Sequence, residues 1–524
     1  MLDDTPSPER VALNRATYGA TQTDLLAVQT EGWAAWVANQ LAAPPGDDPI
    51  LANYLSMQTI PINYRADPDG AWPDVDEDRP LNYLNQSIEE AWDLLIGAVT
   101  DQVSFAELYR IQQEFHAAHW IRAAHAQYQL REVMVDFWHN HFNVGGGDTA
   151  LNATLMVYDR EAIRPHVLGN FAEMVEANAS SSAMLLYLDN WVSNADHPNE
   201  NYARELLELH TLGEEAYHGQ NGVPTHPNGT RYGFNDDDVF EVSKALSGWT
   251  IEAGQRAGGG VFLPRTGKFT FNPIQHNDTA QSVLGKPISH YEGIEQGKKV
   301  IEFAAKDHMT AEFVTGKMLN RFFDGVPSEE LHQQVIDTWT ANQDAPDQIA
   351  RTLETILLSP EFMERPAEKV RRPFEKMMAY ARTASVQVGA HPWTLALVTD
   401  ANDGIYTWPA PNGRPDVNGY WLSSNANRIT WNLALAAPVL PELWSSTGYE
   451  QMPETTSAFE ILDFWIDRMV GYAISNDAYD ALLTDITNPG GLIDVLTFGG
   501  TADKAWATDR LTGLIATTSE FAYR

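Results

Sequence analysis

Along most of the chain, apolar residues recur at three- and four-residue intervals, the spacing that gathers them on one face of a helix. SPERVALNRATYG (residues 7–19) and TQTDLLAVQTEGWAAWVANQLAAP (residues 21–44) read as two helices. The second starts at a Thr21 or Thr23 cap and stops before Pro44 and Pro45. Residues 104–142, SFAELYRIQQEFHAAHWIRAAHAQYQLREVMVDFWHNHF, read as one long helix or two stacked ones, and residues 151–179 are helical again. In YGFNDDDVFEVSKALSGWT, Asn235 is placed as an N-cap with Asp238 three positions on and Gly248 as the stop. Helical periodicity resumes at residues 292–358 and 372–388 and continues after the Pro/Gly loop WPAPNGRPDVNGYW to the end.

Only GGGVFLPRTGKFTFNP, residues 258–273, alternates around a glycine turn, so it predicts a β-hairpin. The polar, Pro- and Asp-rich residues 43–85 predict a long loop. The expected architecture is a mainly α, multi-helix globular protein. Its spans are an N-terminal helical hairpin (1–42), the polar loop (43–85), a central helical region with the candidate site and hairpin (86–290), a helical region (291–390), and a Pro/Gly loop with C-terminal helices (391–524). No fixed-period repeat appears, which excludes a solenoid.

Composition narrows the classes further. With 524 residues, 44% hydrophobic content, 16 Trp, 19 Tyr and 20 Phe, the chain can bury a large core. The formal charge of −37, with ten lysines and none before Lys244, repels nucleic acid and anionic membranes. Such an acidic surface suits a saline or extracellular setting. The acidic loop Asp67–Arg79 lacks the spacing of an EF-hand loop. The absence of cysteine excludes disulfides, thiolate metal sites and cysteine nucleophiles. No apolar run is long enough for a transmembrane helix. MLDDTPSPER carries no signal peptide, so the expectation is a cytoplasmic chain or one whose leader has been replaced by Met1.

Candidate chemistry concentrates where the imidazoles do: ten of fifteen histidines lie between His116 and His226. In PNENYARELLELHTLG (residues 198–213), a regular helix gathers Asn201, Glu205 and Glu208 on one stripe beside Tyr202, Leu206 and Leu209. His210 falls well round the axis from Glu205. An Arg204–Glu208 pair four residues apart fits a wet helix face equally well. In FWHNHFNVGGGD, a continuing helix buries His141 and turns His139 elsewhere. If the helix instead ends near Trp138, as the glycines at 145–147 favour, His139 and His141 share one side with metal-ligand spacing. His276 and Asp278 follow the hairpin, and His116 and His119 make a further pair on one helix face. No nucleophile elbow, Walker loop or dinucleotide fingerprint is present.

Taken in order, ALNRATYGAT, REVMVDFWHNHFNV, LGNFAEMV, AMLLYLDN, PNENYARELLELHTLG, DDVFEVSKALSGWT, FTFNPIQHNDTAQSVLG, LLSPEF and GRPDVNGYWLSSNA resemble the bacterial family catalogued as domain of unknown function 1800. The resemblance implies a mainly helical protein that is secreted or periplasmic. It also implies a partner encoded nearby, from a family related to phosphatases and sulfatases. It brings no reaction. The family's motif blocks match at His139, His141, Asn201, Glu205, Glu208, His210, His276 and Asp278. This chain has HND where the family commonly has His directly followed by Asp, which weakens a paired ligand role. It also inserts residues 214–234, with His218 and His226.

The leading expectation is a metal-dependent hydrolase acting on an extracellular polymer or ester. His139, His141, Glu205 and His276 would hold zinc, iron or manganese. Glu208 would be the base, Arg204 would meet developing negative charge, and His210 would assist. One alternative is a metal-dependent oxidoreductase with the same ligands. Another is a secreted non-enzymatic binding or assembly protein in which the Glu/His/Arg cluster is a structural network.

Overall fold

Capping residues set where the helices begin. In the computed structural model, Thr21 and Asp24 form a reciprocal capping box at the start of Gln22–Glu31, and Asn235 and Asp238 do the same for Asp236–Ala245. The structure describes residues 2–227, 229–436 and 444–524. Gly32, at φ +86°, ends the Gln22–Glu31 helix, and Trp33–Leu41 follows as a separate one. The stretch 104–142 also divides, into Phe105–His125 and Gln129–His141.

The fold is mainly helical, with only small antiparallel ribbons among the described residues. One cluster of buried apolar side chains extends from Ala12 to Phe521 and takes members from every span of the chain. At its centre lies the Phe105–His125 helix, packed against Ile88–Val99, Pro373–Thr383 and Trp393–Ala401. No described helix is long and apolar enough to cross a membrane.

The β-structure differs from expectation in its pairing. Within residues 258–273 the only described strand pair is Gly258 with Val261. Arg265–Phe271 pairs with the upstream strand Trp249–Ala253, matching Trp249 to Phe271, while Arg256–Gly258 and Val261–Phe262 form a small inner hairpin. Trp249 and Ile251 supply the buried side of the outer ribbon, and both precede the segment that alternates visibly.

The span 43–85 is not a plain loop either: it holds the helix Pro49–Ser56 and the ribbon Thr59–Tyr64 with Val75–Pro80. VDEDRP has no apolar alternation because it is an exposed edge, held by backbone pairing and by Arg110, which donates to the Arg79 and Pro80 carbonyls.

Candidate functional site

The Gln129–His141 helix carries the first candidates. It stays helical through His141 and is capped at Phe142. The extended His-x-His geometry is therefore absent, and the two imidazoles leave the helix in different directions. His139 Nε2 lies 2.9 Å from Asp159 Oδ1 and donates to it. His141 Nε2 donates to the His210 carbonyl at 3.0 Å. Burial pushes both imidazoles down, even though Asp159 pulls His139 up, so both are neutral near pH 7.

The Glu/His motif begins as the helix Glu200–Glu205 and continues as a π-helical turn, Leu206–His210. This wider turn breaks the regular angular spacing. It carries Tyr202, Leu206 and His210 into the core and leaves Leu209 half-exposed. Neither nitrogen of His210 has a hydrogen-bond partner among the described residues. Burial, reinforced by nearby Lys317, pushes this imidazole down to about 3. Arg204 faces outward instead: it meets Glu208 at 3.3 Å and Asp236 at 3.4 Å and lies over the Tyr217 ring. Glu205 is half-buried with no ion pair among the described residues, and burial, followed by the neighbouring Glu208 carboxylate, raises its pKa.

His276 sits elsewhere. Its Nδ1 faces the Ser247 carbonyl at 2.8 Å and its Nε2 faces Gln296 Oε1 at 3.1 Å, so both ring nitrogens are turned to protein oxygens. Asp278 is 3.9 Å away and accepts instead from the Gly293 N–H.

The proposed ligand set of His139, His141, Glu205 and His276 is thus a misreading. The three histidines are each engaged by a different partner, and among the described residues no group of three or more His, Asp or Glu side chains is placed to hold a metal ion. Zinc, iron or manganese has no seat here, and the metal-dependent hydrolase and oxidoreductase both lose the ion on which they depend. Glu208, Arg204 and His210 share no centre either: the first two form a surface pair, while His210 is sealed in the core.

The residues around His139 belong to a buried ionic lattice that sequence spacing did not signal. Asp159, on the π-helical turn Tyr158–Ile163, accepts from Arg164 Nε at 2.7 Å, and Arg164 Nη1 donates to Glu132 at 3.0 Å. One turn along from Glu132, Asp136 accepts from Arg414 Nη2 at 2.8 Å and from Arg372. Asp403 takes Arg414 Nη1 at 3.2 Å and the Phe374 N–H at 2.9 Å. Glu375 meets Arg321 at 2.7 Å and Arg524 at 3.2 Å. All of these side chains are buried. Burial alone would raise the Asp136 carboxyl, but Arg372 and then Arg414 hold it well below the usual carboxylate range. Asp403, which shares those cations, is pushed up by burial to about 6.

A second feature is a surface groove of about 520 Å³. Its walls come from the Gly145–Asp148 loop, the Leu186–Trp191 segment and Pro409, parts of the chain that also contain or adjoin HNHFNV, YLDN and GRPDVNGYW. The loop is tied in place by its backbone: the Gly146 N–H donates to the Tyr406 carbonyl at 2.6 Å, and Asn143 Nδ2 donates to the Trp408 and Ala410 carbonyls. A Cβ on Gly145 would stand 2.9 Å from the Trp408 carbonyl oxygen, so only glycine permits this approach. Tyr406, at φ +65°, holds a left-handed conformation that costs a bulky residue about 1–3 kcal/mol and persists because its ring and hydroxyl are locked in the core. Tyr187 donates its hydroxyl to the Pro409 carbonyl at 2.8 Å across this groove, and burial raises its phenol to about 12.

Comparison with known proteins gives one match. The family model described as "Protein of unknown function (DUF1800)" covers residues 11–522. No curated protein and no solved structure matches the chain.

Proposed function

Because the chain belongs to the DUF1800 family, whose description assigns no reaction, we propose from its own geometry that it is a non-enzymatic binding or assembly protein acting outside the cytoplasm, in which the buried Glu/His/Arg residues are an internal brace. The observation that supports this reading is the lattice itself. Asp136, Arg372, Asp403 and Arg414 bind one another out of solvent and join segments up to 278 residues apart in the chain. Groups committed in this way to each other fix helix positions and are not available to a substrate. On this reading an extracellular polymer is a ligand to be held, not cut. The partner class is the phosphatase/sulfatase-like protein expected beside this family.

Fractionation of native cells with reciprocal co-purification of that neighbour tests the proposal. We expect the chain in the extracytoplasmic fraction and in a stable complex. Substitution of Glu132 or Asp136 should lower thermal stability, whereas Glu205→Gln should not. Recovery of the uncomplexed chain in the cytoplasm, or an activity lost in Glu205→Gln at unchanged stability, overturns it.

A further inference from the structure

We propose that the groove between the Gly145–Asp148 loop, the Leu186–Trp191 segment and Pro409 binds a small ligand through a protonated amine. This assignment rests on the binding-protein reading and names the ligand chemistry. The groove, at about 520 Å³, is of a size that takes a small molecule. Its aromatic walls are Tyr187 and Trp191, both half-buried, and neither ring stacks on another among the described residues. Unshared aromatic faces next to solvent attract a cation through the ring quadrupole.

The charges around those faces have one sign. Asp148 and Asp189 line the groove, both exposed and neither in an ion pair among the described residues, and no Lys, Arg or His lines it. Asp148 accepts the Ala150 N–H, and Asp189 is held at φ +58°, on the segment that also presents Tyr187 and Trp191. Arg204 is already held by Glu208 and Asp236.

Another cleft, of about 830 Å³, shows the contrast. Its cations are already paired within it, Lys268 with Glu89 and Arg160 with Glu161, so it presents no uncompensated charge. An anionic ligand would be repelled from the Tyr187–Trp191 groove. A neutral one would leave its carboxylates without a counter-charge.

The shared chemistry is an ammonium group on a small carrier, and two carriers present it: an alkyl diamine or an amino sugar. The test is isothermal titration calorimetry of the full chain with putrescine and with glucosamine. Butanediol and N-acetylglucosamine serve as uncharged counterparts, at low and at physiological ionic strength. We expect at least one amine to bind and its uncharged counterpart not to, with the better amine identifying the carrier. Trp191→Ala and Asp189→Asn should each weaken binding by about tenfold or more. Glu295→Gln, an exposed acid elsewhere, should leave it unchanged.

The proposal is overturned if neither amine binds, if the uncharged compounds bind equally, or if the groove variants bind as the parent does, which would mark diffuse attraction to an acidic surface. Asp189→Asn should keep the parent melting temperature, and Trp191→Ala, whose ring also packs on the core, should melt lower but be fully folded at the titration temperature. A blank titration therefore removes the ligand assignment and leaves the brace reading standing. Turnover of a bound amine would overturn the non-enzymatic reading and leave the groove in place.

Discussion

Asp136→Asn removes one negative charge from the middle of the buried lattice while changing almost no volume. In the parent, one carboxylate oxygen serves Arg414 and the other serves Arg372. An amide offers a single acceptor and turns an NH2 toward the remaining guanidinium, so one arginine faces a donor instead of an acceptor. Both arginines and the aspartate are nearly inaccessible to water, at side-chain exposures of 1% to 3%, so solvent cannot repair the loss. Breaking a buried pair from one side costs about 3–5 kcal/mol. Spread over an unfolding entropy of roughly 2 cal/mol/K per residue for 524 residues, that is a fall in Tm of about 3–5 °C. Differential scanning calorimetry reads it directly, with Asp347→Asn as the comparison. That residue pairs with Arg351 on the surface, both about half exposed, and its loss should cost under about 0.5 kcal/mol. Adding Arg414→Gln to Asp136→Asn should cost less than the sum of the two single changes, with a coupling of about 0.5–3 kcal/mol. A shift under about 1 °C for Asp136→Asn, equal to the surface control, would refute the brace.

Three further outcomes follow from the same structure. Burial and then Lys317 hold His210 down to about 3, against about 6.5 when unfolded, so the unfolded chain binds the extra proton between those values. The stability this neutral imidazole confers is complete above about pH 6.5 and is lost as pH falls toward 3. Between about pH 7 and 5 the loss is roughly 2 kcal/mol, so a His210→Gln variant should show a shallower fall in Tm over that window, and an identical pH profile would refute the assignment. Prolonged dialysis against a chelator should leave Tm and circular dichroism unchanged, since no ligand set for an ion is formed among the described residues; a drop beyond about 2 °C would show a structural metal. Gly145→Ala should lower stability by about 1–3 kcal/mol, because its Cβ meets the Trp408 carbonyl and Pro409 backbone at 2.9 and 3.1 Å; an unchanged Tm would mean that the loop yields freely.

What was legible in the sequence was local. The Asn235–Asp238 capping box and the mainly helical class follow from spacing alone, because caps and amphipathic faces are satisfied by neighbours in the chain; between Thr21 and Thr23 spacing does not choose, and the structure uses Thr21 with Asp24. The site misreadings share one cause: histidine spacing was tested for a metal, and the partners that occupy each ring are distant in sequence. Ser247 and Gln296 take His276, 29 and 20 positions away, and Asp159 takes His139. The π-helical turn at Leu206–His210 defeated a regular helical wheel, since one widened turn redirects His210. A signal for the lattice was nevertheless present. Asp136 sits in VMVDFW, between apolar neighbours on both sides, and an acid in such a setting requires a buried cation.

Well-packed apolar side chains could match the stability of a buried ion lattice, so its value must lie in placing something. Here it places the segment 403–414. Arg414 is fixed by Asp136, by Asp403 and by Asn140, whose side-chain oxygen accepts from the Arg414 N–H at 2.7 Å. The same segment gives its Tyr406, Trp408, Pro409 and Ala410 carbonyls to Gly146, Asn143 and Tyr187, and those contacts form one wall of the aromatic groove. The charges at the centre therefore set the position of a wall they do not touch. An apolar lattice would hold the segment as firmly but would tolerate sliding, whereas each guanidinium accepts only one register against its carboxylate. Asp136→Asn should accordingly weaken amine binding at temperatures where the chain is still fully folded, although Asp136 is not a groove residue. Calorimetric titration of that variant well below its Tm tests the coupling, and parent-like affinity would show that groove and brace are independent.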